Sequence, residues 1–332
     1  MRRVDRAYAC LKSRTLIGLL SCTVLTASFN VKERFRDMMR KTIFTIAALA
    51  LLYICAAPSV VHAADCDREC LKGFVTQYID AITAHNPGAL PLAANARFTE
   101  NNNELKLGEG FWKTFTKVTD YRRDILDVKQ GVAVSFMVVE GTVPTEPTLY
   151  VIRLKIQDNK ISEIETMTVR NKAEGMLYNP ENLQKVQPLM LSEVPAAQKT
   201  SREEAIKIAV TYPEGIRIGS FVKANSPMVD EAYRYENGML MAGPGCTFFP
   251  TCNVMRTQSI PTLSEITHRV MAVDEELGVV AVRMNFGKGS LFSGTGVLDV
   301  WHSFKIFGGQ IHAAEAYCKE VPAGQKSGWG DW

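Results

Sequence analysis

The chain has 332 residues, of which 46% are hydrophobic and 22% charged, with a formal net charge of +3 at pH 7. That balance excludes a low-complexity or intrinsically disordered chain. The charge is unevenly laid out: the first 63 residues carry 10 Lys/Arg and 3 Asp/Glu, so the 28 basic and 32 acidic residues that follow leave the body near −4. A net acidic body without basic runs excludes nucleic acid and anionic membrane as expected partners.

Met39, Arg40 and Lys41 precede an apolar run over residues 43–57, and Pro58 is followed by Val61, His62 and Ala63, a small-residue cleavage pattern. The run is 15 residues long, short of the ~20 that span a bilayer. Residues 1–63 therefore read as an N-terminal extension with a secretory signal, which Met38 or Met39 would open well. A secreted or periplasmic protein with no stable membrane insertion after cleavage is expected, and disulfides are permitted there. Cys66, Cys70, Cys246, Cys252 and Cys318 lie beyond the signal.

The next segment, residues 66–84, places Leu71, Phe74, Val75, Tyr78, Ile79 and Ile82 on one helical face, with Asp65 as the cap and Asn86-Pro87-Gly88 as the stop. Cys66 and Cys70, one helical turn apart, suit either metal ligation or a local bridge, and Cys318 reaches either one if the termini meet. No second Cys/His pair at ligand spacing accompanies them, so neither a metal nor a cofactor is expected. Four strands follow over residues 119–128, 132–140, 148–157 and 160–170, rich in β-branched residues and broken by turns such as Asp158-Asn159. Residues 171–199, with Pro180, Pro188 and Pro195, read as a linker laid across the surface.

A second copy of this order begins at residue 200. Ser201 with Glu204 forms a capping box before a helical stretch that Pro213 interrupts. The pattern of a strand, an acidic turn and a glycine at Asp127 and Gly131 recurs at Asp274 and Gly278, a spacing of 147. Lys155-Ile156, Ile161 and Glu165 recur as Lys305-Ile306, Ile311 and Glu315 at a spacing of 150. Arg97 with Glu100-Asn101 matches Arg234 with Glu236-Asn237 in type. Three matches in the same order mark a duplicated module. The expected organisation is a first module over 64–170, a linker over 171–199, a second module over 200–320 and a tail over 321–332. The fold class is α+β, each module an N-terminal helical stretch packed on a curved antiparallel sheet.

That layout resembles the nuclear transport factor 2-like fold, whose SnoaL-like members include cyclases, dehydratases and relatives of ketosteroid isomerase. Arg97-Phe98-Thr99-Glu100-Asn101, Gly108-Glu109-Gly110-Phe111-Trp112, and Phe304-Lys305 with Gly308-Gly309-Gln310-Ile311-His312-Ala313-Ala314-Glu315-Ala316 also look like a secreted family of tandem proteins of unassigned function. The resemblance implies two cone-shaped modules and no particular chemistry, because this fold serves enzymes and inert modules alike. No catalytic carboxylate of the isomerases or cyclases aligns onto a position of this chain.

The last hairpin supplies the chemical expectation. A two-residue turn at Gly308-Gly309 sets Ile306 opposite Ile311, Phe304 opposite Ala313, His302 opposite Glu315 and Val300 opposite Tyr317. On one apolar face this pairs a histidine with a carboxylate, which suits general-base chemistry of dehydratase, lyase or isomerase type. The expected catalytic set is His302 as base, Glu315 to orient it and Tyr317 nearby, with Arg234 and Asn237 binding substrate. Cys246 and Cys252, flanking Thr-Phe-Phe-Pro-Thr in a Gly/Pro-rich loop, are expected to close a short disulfide ring that presents Phe248 and Phe249 as a rim over the pocket. The alternative is a non-catalytic module that binds a small organic ligand or self-associates through its sheet faces as a homo-oligomer.

Overall fold

The computed structural model describes residues 66–142, 146–260, 263, 265–287 and 296–329, and residues 63–332 form one compact unit. The expected signal over 1–63 lies outside the described residues, as does the expected cap Asp65. No described helix is long and apolar enough to cross a membrane.

Helix α1 (Arg68–Thr83) is capped by Asp67, whose carboxylate accepts from the Cys70 amide at 2.9 Å. It buries Leu71, Phe74, Val75, Tyr78, Ala81 and Ile82, the i, i+3, i+4 stripe that the sequence displays. It covers one face of a six-stranded sheet built from β1 (Leu92–Glu100), β2 (Asn103–Glu104), β3 (Phe115–Asp127), β4 (Val132–Gly141), β5 (Thr148–Gln157) and β6 (Lys160–Val169) in the order β2-β1-β6-β5-β4-β3. After a linker that contains α2 (Pro188–Leu191), helix α3 (Arg202–Ile218) repeats the arrangement. Ser201 accepts from the Glu204 amide at 3.3 Å, and α3 runs on through Pro213, whose buried packing outweighs its missing donor. The second sheet has β7 (Met228–Glu236), β8 (Met239–Ala242), β9 (Thr267–Asp274), β10 (Val279–Phe286), β11 (Gly296–Phe307) and β12 (Gln310–Pro322) in the order β8-β7-β12-β11-β10-β9. The fold is α+β with two tandem modules. Each sheet is antiparallel save one parallel pair, β1 with β6 and β7 with β12.

Three apolar cores result. One lies between α1 and its sheet, one between α3 and its sheet, and the third between the two outer sheet faces. The outer faces, which the sequence reading offers for self-association, are thus buried against each other within one chain. Asp127 and Asp274, the acidic turns of the repeat, fasten this layer reciprocally. Asp127 accepts from the Val273 amide at 2.8 Å and from Arg202, the first residue of α3, at 2.9 Å. Asp274 accepts from the Leu126 amide at 3.0 Å and from Arg68, the first residue of α1, at 2.8 Å. The linker takes part as well: Met190 is fully buried in the third core, and Tyr178 and Leu183 are nearly so, which corrects the expectation of a strap on the surface. The tail returns to the first module, where Trp329 donates to Thr99 Oγ1 at 2.7 Å and Arg97 lies over its ring.

Candidate functional site

The hairpin register holds only as far as Ile306 opposite Ile311. There β12 carries one extra residue, His312, after which Lys305 faces Ala313, Phe304 faces Ala314, Ser303 faces Glu315, His302 faces Ala316 and Trp301 faces Tyr317. A bulge of one residue moves everything beyond it to the other side of the sheet. The expected His302–Glu315 pair therefore does not form. The first copy bulges at the equivalent Ser162, so Glu165 stands opposite Arg153 rather than Ile152.

Glu315 and Tyr317 consequently belong to the layer between the sheets. Glu315 accepts from Tyr121 at 3.2 Å and Tyr233 at 3.4 Å and forms an ion pair with Arg123 at 3.4 Å. Tyr317 donates to the Met137 carbonyl at 3.2 Å and packs against Phe136. Both are structural links to the first module. Glu165 plays the mirrored part, taking Arg269 at 2.6 Å and Arg283 from the second module. His302 alone faces inward. Its ring is fully buried, stacked on Phe304 at 4.8 Å and tilted against Tyr212 at 4.9 Å, and neither ring nitrogen has a protein hydrogen-bond partner. Burial, reinforced by the Arg234 charge, holds its pKa well below the ordinary histidine value, so the ring is neutral. Without a carboxylate to fix a tautomer, the expected base–orienter arrangement is absent.

Asn237 is likewise structural. At φ 47° it turns the chain after β7, accepts from the Cys318 amide at 2.8 Å and donates to the Cys318 carbonyl at 2.8 Å. Asn101 pins Thr168 in the first module in a related way, accepting from its amide at 2.9 Å and donating to its hydroxyl at 3.0 Å. Cys318 stays unpaired and buried, because Cys66 and Cys70 bond to each other. Among the described residues no group of three His, Cys, Asp or Glu side chains is placed to hold a metal ion.

Three of the expected residues do converge. Arg234, Phe248 and Phe249 line a cavity of about 540 Å³ at one end of the second module, within the range of small-molecule sites. Its walls are apolar: Ile216 from α3, Phe286 and Leu298 from the sheet, Ile260 and Leu263 from the loop before β9, and Met176 from the linker. The Cys246–Cys252 disulfide forms as expected and pins the loop bearing Phe248 and Phe249, which are 46% and 36% exposed as a rim. Polar groups are few. Arg234 donates to Tyr212 Oη at 3.2 Å, and its Nε lies 3.1 Å from Glu236 Oε1. Gln258 donates its amide hydrogen to the Met241 carbonyl at 2.9 Å, leaving its buried Oε1 without a protein partner.

Gln258 and Tyr212 are absent from the sequence expectation, and Glu236 enters it only beside Arg234 and Asn237 in the repeated polar turn. Glu236 was within reach, two positions from Arg234 on one strand and so on the same face. Tyr212, four residues after Ile208 on α3, followed from helical spacing. Gln258 sits in an irregular loop and carries no periodic signal.

With this geometry in view, the Domain of unknown function (DUF8021) family matches residues 64–168 and 198–318. The chain belongs to that family. The two matched stretches coincide with the two modules, each a helix and a six-stranded sheet, and DUF8021 here denotes a tandem architecture without an assigned activity. No curated protein sequence is significantly similar to the chain. A solved structure, that of an NTF2-like protein of unknown function from Shewanella baltica OS155, is 12% identical, covers 36% of this chain and 97% of its own, and has a TM-score of 0.25.

Proposed function

We propose that this DUF8021 protein binds a small, largely apolar organic molecule in the cavity of its second module and performs no acid–base chemistry there. The observation that supports this reading is the 540 Å³ space walled by ten apolar side chains, with Arg234, Glu236, Gln258 and Ser259 as its polar lining, the ordinary composition of a ligand site. The test is titration with N-phenyl-1-naphthylamine, an uncharged dye that brightens on entering apolar surroundings. Saturable binding at one equivalent is expected, weakened at least tenfold by Phe249→Asp and Ile260→Asp and unaffected by Leu191→Asp on the exposed side of α2. Binding indifferent to Phe249 and Ile260, or no binding, would overturn the reading.

We also infer that the protein works outside the cytosol, where the Cys66–Cys70 and Cys246–Cys252 bridges persist. Export with removal of residues 1–63 is expected in an N-terminal sequence of the secreted protein. A cytosolic chain with those residues intact would refute it.

A further inference from the structure

The polar end of the cavity narrows the chemistry of the ligand. Arg234 is charge-balanced: Glu236 Oε1 lies 3.1 Å from its Nε as an ion pair without completing a hydrogen bond, and its terminal nitrogen donates to Tyr212 Oη at 3.2 Å. A ligand carboxylate or phosphate that approached Arg234 would meet the Glu236 carboxylate at the same place, and a ligand cation would meet the guanidinium. Charge of either sign is therefore opposed by a fixed group inside an otherwise apolar chamber. The unmet demand is of another kind. Gln258, a lining residue of the cavity, is 3% exposed and donates to the Met241 carbonyl at 2.9 Å, which leaves its buried Oε1 an acceptor with no protein donor. Glu236, only 17% exposed at its side chain, is a second acceptor within the same lining.

Resting on the binding reading above, the geometry points to an uncharged ligand with an apolar body and a hydrogen-bond donor at its end, an alcohol or phenol in chemical class, whose O–H donates to Gln258 Oε1. The apolar body occupies the space among Ile216, Phe286 and Leu298, and Phe248 and Phe249 close over its exposed end. A buried acceptor left unpaired is costly, so a ligand that lacks the donor is disfavoured even when its shape is unchanged. Arg234 and Glu236 serve specificity by excluding ions.

The experiment compares three ligands of one shape, 2-naphthylmethanol, its methyl ether and 2-naphthoate, as competitors of bound N-phenyl-1-naphthylamine on the full chain. The alcohol is expected to displace the dye at a concentration at least tenfold below that of the ether or the carboxylate. Gln258→Leu should erase the preference for alcohol over ether, and the near-isosteric Glu236→Gln should improve 2-naphthoate at least fivefold. Displacement by 2-naphthoate at or below the alcohol's concentration, or an alcohol preference that survives Gln258→Leu, would overturn the donor proposal while the binding reading stands. Failure of all three to displace a dye that does bind would overturn it too, whereas failure of the dye itself to bind removes the binding reading.

Discussion

The two modules share one plan, yet their helix-facing interiors are filled differently. In the first, Trp112 is buried against Tyr78, donating to its hydroxyl at 3.1 Å, while Tyr78 and Tyr150 share a hydrogen bond of 2.7 Å and Phe111 packs edge-on to both Phe115 and Tyr150. This plug is held by Glu100, which accepts from the Phe111 amide at 2.9 Å. In the second module Glu236 occupies the place of Glu100, pairing with Ala316 as Glu100 pairs with Thr166, but it meets Arg234 instead of a plug. Arg234 in turn stands where the first module has buried Phe98, and His302 stands where it has Ile152. On sheets of the same strand order, one copy carries an aromatic plug and the other a cavity.

The contrast is most sharply broken by emptying the plug. Trp112→Ala should cost about 3–5 kcal/mol in urea unfolding, the range for a deleted core aromatic, and should raise dye stoichiometry from one to two by giving the first module a cavity of its own. A stoichiometry that stays at one would mean that the difference between the modules does not lie in the plug. The reciprocal aspartates test the opposite claim, that the copies are equivalent where they meet. Asp127→Ala and Asp274→Ala should each cost about 2–3 kcal/mol by stranding a buried backbone amide and taking one carboxylate from a half-buried arginine. Unequal losses would show that one module carries the interface.

The disulfide loop has no counterpart in the first module. Replacing Cys246 and Cys252 together by Ser should lower stability by about 2 kcal/mol through loop-closure entropy and weaken dye binding as the Phe248–Phe249 rim loosens. Unchanged binding would take the rim out of the site. The smallest effect concerns His302, which replaces Ile152. Its folded-state pKa lies well below the ordinary value, so as pH falls below about 6.5 the unfolded chain takes up a proton that the folded chain refuses. Stability therefore decreases with acidification, by up to about 1.4 kcal/mol per pH unit, until the buried ring itself protonates. His302→Leu should flatten that slope between pH 6.5 and about 5 in chemical unfolding. His268 and His312, whose values burial also lowers, contribute to the slope that remains. An undiminished slope in the variant would contradict a neutral buried ring.

Much of this architecture was legible because helix and strand write themselves with local periods. The stripe from Leu71 to Ile82, the turns at Asp158-Asn159 and Gly308-Gly309, and the recurrence of Asp127 at Asp274 needed no partner to be read. The bulge did leave a trace. Inward residues are spaced by three at Ile161 and Ile164 and again at Ile311 and Ala314, a break in parity that a strict alternation conceals. With that break, Glu315 falls on the outer face and cannot pair with His302.

What the sequence by itself determined was the duplicated α+β layout and the ring closed by Cys246 and Cys252. Only the tertiary structure decided that the outer faces meet each other, that Asn237 is a backbone pin, and that Trp112, Tyr78 and Tyr150 pack together in one module while a cavity opens in the other. The reason is physical: secondary structure follows from spacing along the chain, whereas a cavity is a deficit of volume among side chains far apart in sequence, and no local pattern records what fails to be filled.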